Sequence, residues 1–219
     1  MSLSTDERLK AVLNELCPGD KVADVGCDHG KIANLAVQIT GNDVFAIDIS
    51  AASLKKTKDL SRELCQEERV VCLIGDGLFP VDNTDVDTAV IAGLGAHEIV
   101  RILASARKRY RKYVLVPHRH PDVLRRYLSD NSYGVNKDFI IKCGGKFYPV
   151  IVACGEGNVK YTSFELAFGK TRNEAMYEYM AERKKTLAAI IGKANGESLE
   201  KAEEELREID KYENKRNNC

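Results

Sequence analysis

Apolar positions follow two alternating rhythms along most of this 219-residue chain. Contiguous β-branched and apolar runs predict strands at 21–25, 43–48, 70–74, 88–92 and 113–117. Between them, apolar residues spaced three and four apart predict helices at 31–39, 50–64, 96–107 and 121–128. An amphipathic segment, 4–16, comes first, with Leu9, Val12, Leu13 and Leu16 on one face. Ser4 stands three residues before Glu7, a capping-box spacing, and Cys17-Pro18-Gly19-Asp20 ends the segment.

Strands apolar along their whole length suit a sheet covered on both faces. Strand–helix alternation implies right-handed crossovers and a doubly wound parallel sheet. The rhythm then changes. Two strand-like runs, 135–142 and 147–153, are joined by Cys143-Gly144-Gly145-Lys146, the pattern of a hairpin. A parallel sheet closed by an antiparallel hairpin is the shape of the class I methyltransferase fold, a Rossmann-like seven-stranded α/β sheet. Beyond Phe168 the spacing is helical throughout: Ala175, Met176, Tyr179, Met180, Leu187, Ile190 and Ile191, a break at Asn195-Gly196, then Leu199, Ala202, Leu206, Ile209 and Tyr212. This predicts a charged helical hairpin, frayed from about Asn214, and divides the chain into an α/β domain, 1–168, and a helical appendage, 169–219.

Charge alters this picture only locally. Thirty-three basic and 33 acidic residues cancel, so no global field draws in a polyanion. No apolar run reaches membrane-spanning length, and the first residues lack a signal-peptide pattern, so a cytoplasmic protein is expected. Seven cysteines occur without a Cys-x-x-Cys pair, which argues against zinc. Cys72 and Cys154 read as small core residues in a reducing compartment, and Cys219 as a solvated thiol.

The chemistry concentrates at predicted strand ends. Asp24-Val25-Gly26-Cys27-Asp28-His29-Gly30 links a strand to a helix, the place of a nucleotide-type cofactor loop. Asp48, with Ile49 beside it, closes the second strand 22 residues after Gly26, the offset of a carboxylate that receives a ribose diol. Asp76 and Gly77 follow the third strand, where an adenine amine would be met, and Gly93 follows the fourth. One strand-end aspartate is often only a helix cap, and a histidine opening a helix often only packs. Three acidic strand ends with glycines in order form a constellation. Ligands bind beyond the carboxyl ends of such strands. A dinucleotide loop would keep its middle position bare for pyrophosphate. Here Asp28 occupies it, a carboxylate that repels phosphate and tolerates the ammonium and sulfonium of S-adenosylmethionine. That cofactor is therefore expected ahead of NAD, with Asp24, Gly26, Cys27, Asp28, Asp48, Ile49, Asp76, Gly77 and Gly93 around it.

Asp-Val-Gly-Cys-Asp-His-Gly, Ala-Ile-Asp-Ile, Gly-Asp-Gly-Leu, Ile-Ala-Gly-Leu-Gly and the closing helical hairpin together resemble the bacterial TrmK family. The resemblance implies a class I fold with a coiled-coil-like tail and methyl transfer to N1 of adenine-22 in tRNA. The chain departs from the family pattern at Cys27, at 30–33, at 92–96 and at 116–121. On this reading Asp28 is the expected catalytic carboxylate, supported by His29.

The RNA side is read from charge. Nine Lys/Arg lie between Arg101 and Arg126 with one acid, Asp122, an excess suited to phosphate. The group at 107–112 precedes the fifth strand and so faces away from the site. His118, Arg119, Arg125 and Arg126 follow that strand and are the expected substrate contacts. Lys184, Lys185 and Lys193 supply a second candidate surface on the hairpin, which could equally pack on the domain or on a second subunit. A class I methyltransferase with another substrate, or an S-adenosylmethionine-binding RNA module without turnover, would share most of these features.

Overall fold

The structure of the protein is a computed structural model, which describes residues 5–193 and 195–217. Seven strands form one sheet: β1 (Val22–Val25), β2 (Val44–Asp48), β3 (Val70–Ile74), β4 (Thr88–Ala92), β5 (Lys112–Val116), β6 (Gly134–Cys143) and β7 (Lys146–Cys154). Their order is β3-β2-β1-β4-β5-β7-β6. The first five run parallel, β7 pairs antiparallel with β5, and β6 with β7. The strand order reverses at β1, so the crevice between the β1 and β4 carboxyl ends is the switch point where such sheets bind ligands.

The helices are α1 (Glu7–Leu13), α2 (Lys31–Thr40), α3 (Ala51–Glu63), α4 (Ala96–Ser105), α5 (Pro121–Asp130), α6 (Ser163–Phe168), α7 (Glu174–Ile191) and α8 (Glu197–Asn217). Two apolar clusters lie against the two sheet faces. One joins α4 and α5 to Ala23, Ile47, Ile91 and Leu115. The other joins α1, α2 and Leu54 of α3 to Val22, Ala46, Val90 and Val114. Adjacent strand residues thus feed opposite faces, which is why the strands read as unbroken apolar runs. A third cluster joins Phe164 and Phe168 of α6 and Ile140 of β6 to Met176, Met180, Leu187, Ala202 and Ile209 of the hairpin.

Several sequence expectations change here. The Ser4 cap lies outside the described residues; Asp6 caps α1, its carboxylate accepting from the Leu9 amide at 2.8 Å. Helix α6 was not legible from spacing, because six residues carry less than two turns of periodicity. Its start is nonetheless written in sequence as Thr162 and Glu165, a full capping box. Helix α8 continues to Asn217 rather than fraying from Asn214. Cys72 and Cys154 are only half-buried, and Cys17 and Cys65 are exposed; of the described cysteines Cys27 alone is buried. Cys219 is outside the described residues. No described helix is long and apolar enough to cross a membrane. No cluster of His, Cys, Asp or Glu that could hold a metal ion occurs among the described residues.

Candidate active site

A cavity of about 780 Å³ opens at the carboxyl ends of β1, β2, β3 and β4. Every residue expected around the cofactor lines it: Asp24, Gly26, Cys27, Asp28, Asp48, Ile49, Asp76, Gly77 and Gly93, together with His29 and His118.

The β1–α2 loop is held by backbone geometry. The amides of Gly26 and Cys27 both donate to the Ile47 carbonyl, at 2.8 and 3.2 Å, which binds the loop to β2. Gly26 has φ +74°, and a Cβ there would meet Leu94 at 3.5 Å. Gly30 has φ +68°, and a Cβ would strike Thr57 at 2.4 Å, so α2 and α3 approach only because this residue is glycine. Asp28 itself is left-handed, φ 44°, a conformation that aspartate tolerates better than most side chains.

The carboxylates differ in what they hold. Asp24 is buried within β1 and accepts from the Ala33 amide at 3.1 Å. Burial, and secondarily Asp48, pushes its pKa up to about 7. Asp48 accepts from the Asp28 amide at 3.2 Å and from the Ser50 amide at 2.8 Å. A carboxylate offers about four acceptor sites, so capacity for two hydroxyls remains. Asp76 is gripped by Arg101 through two bonds, 2.8 and 2.6 Å, which hold its pKa below the usual carboxylate range. Glu98 shares the same guanidinium at 2.6 Å. Asp28 is exposed, 3.5 Å from His29 Nε2 and 3.9 Å from Lys56 Nζ. Asp28 and His29, neighbours in sequence, both line the cavity.

These residues fit S-adenosylmethionine. Ile49 is 75% exposed, an aliphatic side chain offered to the cavity and suited to a ring face. Asp48 retains acceptors for a diol, and Asp24 and Asp28 flank the loop where a cationic tail would lie. The carboxylates in this loop oppose phosphate. Cys27 contributes shape rather than chemistry. Its Sγ packs 3.6 Å from Thr57 Oγ1, and burial raises its pKa to about 12, so it stays a thiol.

The β4–α4 turn is covered from within: Leu94 reaches across to Gly26, and His118 Nε2 lies 3.7 Å from where a Gly93 Cβ would stand. His118 sits edge-on to Tyr148, ring centroids 6.0 Å apart, and the Arg8 guanidinium lies 5.5 Å from the same Tyr148 ring. Burial, then Arg8, Arg119 and Lys146, lower the His118 pKa. Arg8, Leu94 and Tyr148 were missed in the sequence. Leu94 lies inside a motif already singled out. Arg8 and Tyr148 carry no local signal, because Arg8, which lines the cavity, and Tyr148, which stands behind His118, meet only when α1 packs against the β6–β7 hairpin.

The basic segment resolves differently from its appearance in sequence. Arg107 faces Asp82 at 3.8 Å, Lys108 donates to the Thr84 carbonyl at 2.7 Å, and Arg109 to the Gly155 carbonyl at 2.7 Å. Arg111 and Lys112 both bind Asp20. The 107–112 group is therefore structural. Arg125, expected on the RNA, is wholly buried: it makes a two-bond pair with Asp138, 2.8 and 2.9 Å, and donates to the Leu166 and Ala167 carbonyls. Spacing could not separate it from its neighbour. On a helix, consecutive residues point about 100° apart, and Arg126 is the one that faces solvent. Arg119 and Arg126 are exposed and have no ion-pair partner among the described residues. On the hairpin, Lys184 is engaged by Asp210 and Glu213 at 2.8 and 2.7 Å, whereas Lys185 and Lys193 are exposed.

Residues 22–214 match the family model TrmK, described as tRNA (adenine(22)-N(1))-methyltransferase. A Bacillus subtilis protein of that same description is 26% identical over 172 residues, covering 76% of this chain and 72% of that one. A Mycoplasma pneumoniae protein is 34% identical over 131 residues, and the match spans 58% of this chain and 60% of the relative's length. The solved structure of M. capricolum TrmK with S-adenosyl-homocysteine superimposes with a TM-score of 0.86 at 21% identity, over 97% of this chain and 98% of that one, and so shares the fold. The family model reaches from the first strand of the sheet into the last helix, and on that match this chain belongs to the TrmK family.

Proposed function

We propose that this chain transfers a methyl group from S-adenosylmethionine to N1 of adenine-22 in tRNA, in the cytoplasm. The observation that carries the reading is the convergence of Asp24, Asp28, Asp48 and Asp76 on one cavity at the sheet's switch point in a member of this family. We assign the cofactor's ribose to Asp48, its adenine to the Ile49 side chain and Asp76, and its cationic tail to the Asp24–Asp28 loop. The bound cofactor supplies an electrophilic methyl group.

N1 of adenine already carries a lone pair, so the chain needs no strong base. Its work is to position the base and exclude water. Leu94, lying over Gly26, supplies an apolar lid to the β1–α2 loop. The methylated base is cationic, and Asp28 stabilises that charge or accepts the N6 proton. His29, 3.5 Å from Asp28, steadies the carboxylate. A base inside folded tRNA must be unstacked to reach this cavity. Arg119 and Arg126 hold the flanking phosphates. Residues 1–168 act as the catalytic domain and 169–219 as an arm along the RNA, where Lys185 and Lys193 are exposed and have no ion-pair partner among the described residues.

The experiment is nucleoside mass spectrometry of tRNA incubated with the protein and S-adenosylmethionine. The expected product is 1-methyladenosine, absent from a transcript with adenine-22 replaced. Asp28→Ala should lower turnover by about 10²-fold or more while the protein stays folded. Turnover within a few-fold of wild type would remove Asp28 from the chemistry.

A further inference from the structure

A second cavity, of about 280 Å³, lies beside the first and shares His118 with it. Its walls come from elements distant in sequence: Ile140 of β6, Phe147 and Pro149 of β7, Ala167 of α6 and Tyr179 of α7. Phe147 and Tyr179 meet at a ring-centroid distance of 5.3 Å. Arg125 also lines the cavity, but its charge is met within the fold by Asp138 and by two α6 carbonyls. The wall formed by these β6, β7, α6 and α7 residues is apolar and aromatic, with the Arg125 charge neutralised, while His118, Arg119 and His120 line the side given by the loop after β5; an apolar wall facing a basic edge suits a nucleobase with its phosphate. At the rim stands Arg119, exposed and without an ion-pair partner among the described residues. Base inside and phosphate outside is the arrangement by which single-stranded nucleic acid is held.

Building on the methyl-transfer reading above, we propose that this second cavity receives the RNA base adjacent to the target adenine, with Arg119 on the intervening phosphate. Two observations support it. The cavities share His118, so their occupants stand side by side. Extruding one base from a folded RNA also unstacks its neighbour, and an aromatic slot gives that neighbour a stack in place of the one it lost, which is a contribution to RNA affinity. Size agrees: at about 280 Å³ the cavity falls just below the range for small-molecule sites, about 300–1,000 Å³, as a slot for a single base should. The pocket would then explain why α6 and α7 pack against the β6–β7 hairpin at this point. They complete its wall.

The test compares tRNA affinity, single-turnover methylation at saturating tRNA and S-adenosylmethionine affinity. The variants are Phe147→Ala, which removes a wall, and Ala167→Leu, which fills the slot while keeping all aromatic residues. Each should weaken tRNA binding roughly 5- to 150-fold, the range for one base–aromatic stack. Cofactor affinity and the saturated methylation rate should hold within about twofold. A tRNA made abasic beside the target should bind wild-type protein just as weakly, and the variants should add no further loss on that RNA. Unchanged tRNA affinity in either folded variant overturns the proposal. A slower saturated rate with unchanged tRNA affinity also overturns it, because the slot would then hold the target adenine itself. Losses that add in full to the abasic effect overturn it too. Absence of 1-methyladenosine with wild-type protein is a separate result, which sinks the functional reading before any variant is compared.

Discussion

The two ends of the parallel sheet carry the same residue types and use them in opposite ways. At the amino ends, charges pair across strands. Asp43 before β2 binds Arg69 before β3 at 2.5 Å, and Lys21 before β1 binds Asp85 before β4. Arg111 bridges Asp20 and Asp87 at 2.7 and 3.3 Å. Lys112 inserts onto Asp20 as well. At the carboxyl ends the carboxylates hold mostly backbone amides, or nothing close. Asp24 has one amide, Asp48 has two, and Asp28 has only His29 and Lys56 at 3.5 and 3.9 Å. Asp76 is the exception, since Arg101 already satisfies it. A closed set of ion pairs stabilises a fold, whereas acceptors left partly unfilled have capacity for a ligand.

The strongest way to break this contrast is Asp20→Ala. Asp20 is 3% exposed, and its loss leaves the charge of Lys112, itself 12% exposed, with only the Glu15 carbonyl. Stability should fall by about 3 kcal/mol, with cofactor affinity retained in the protein that remains folded; urea melts and calorimetry on the same sample check both. Asp48→Ala is the reverse case. It should leave the melting temperature nearly unchanged and weaken S-adenosylmethionine binding by about 1–3 kcal/mol, the worth of hydrogen bonds to a charged group. Comparable losses of stability in the two variants would erase the distinction between the ends.

A third test uses pH. Burial raises the Asp24 pKa to about 7 from an unfolded value of 3.8. Between those values the native state keeps a proton that the unfolded state has released. The group's contribution is therefore full below pH ~4 and declines as pH rises toward 7, at up to about 1.4 kcal/mol per pH unit. An amide at this position does not titrate, so the stability of Asp24→Asn relative to wild type should climb across this window. Parallel stability curves would show that Asp24 is already ionised in the fold.

The smallest effect concerns the two basic segments. Arg119→Ala and Arg126→Ala should each weaken tRNA binding slightly and flatten its salt slope by about one unit. Arg111→Ala, on the opposite end, should leave that slope unchanged. An equal slope change in all three would mean that the RNA does not distinguish the ends.

Most of the fold could be read from the chain. Strands β3 and β4 begin and end where the apolar runs do; in β4 the run records burial on both faces, whereas β3, at the sheet edge, leaves Val71 and Ile74 exposed. That the residues proposed for the cofactor line one cavity was legible because of topology. Topology sends every parallel strand end to one edge, so Asp48 and Asp76 needed only a place in the strand order to be brought together. What the sequence could not decide is which of two adjacent charges faces inward. Arg125 and Arg126 have the same composition and context in sequence, yet one is sealed against Asp138 of β6 and the other is solvated. Nor could it show Arg8 beside Tyr148, or Phe147 beside Tyr179. Those contacts join segments far apart in the chain, and periodicity within a segment describes only the face it buries. Partner and register across the gap are chosen by packing, and that choice is made only in the folded molecule.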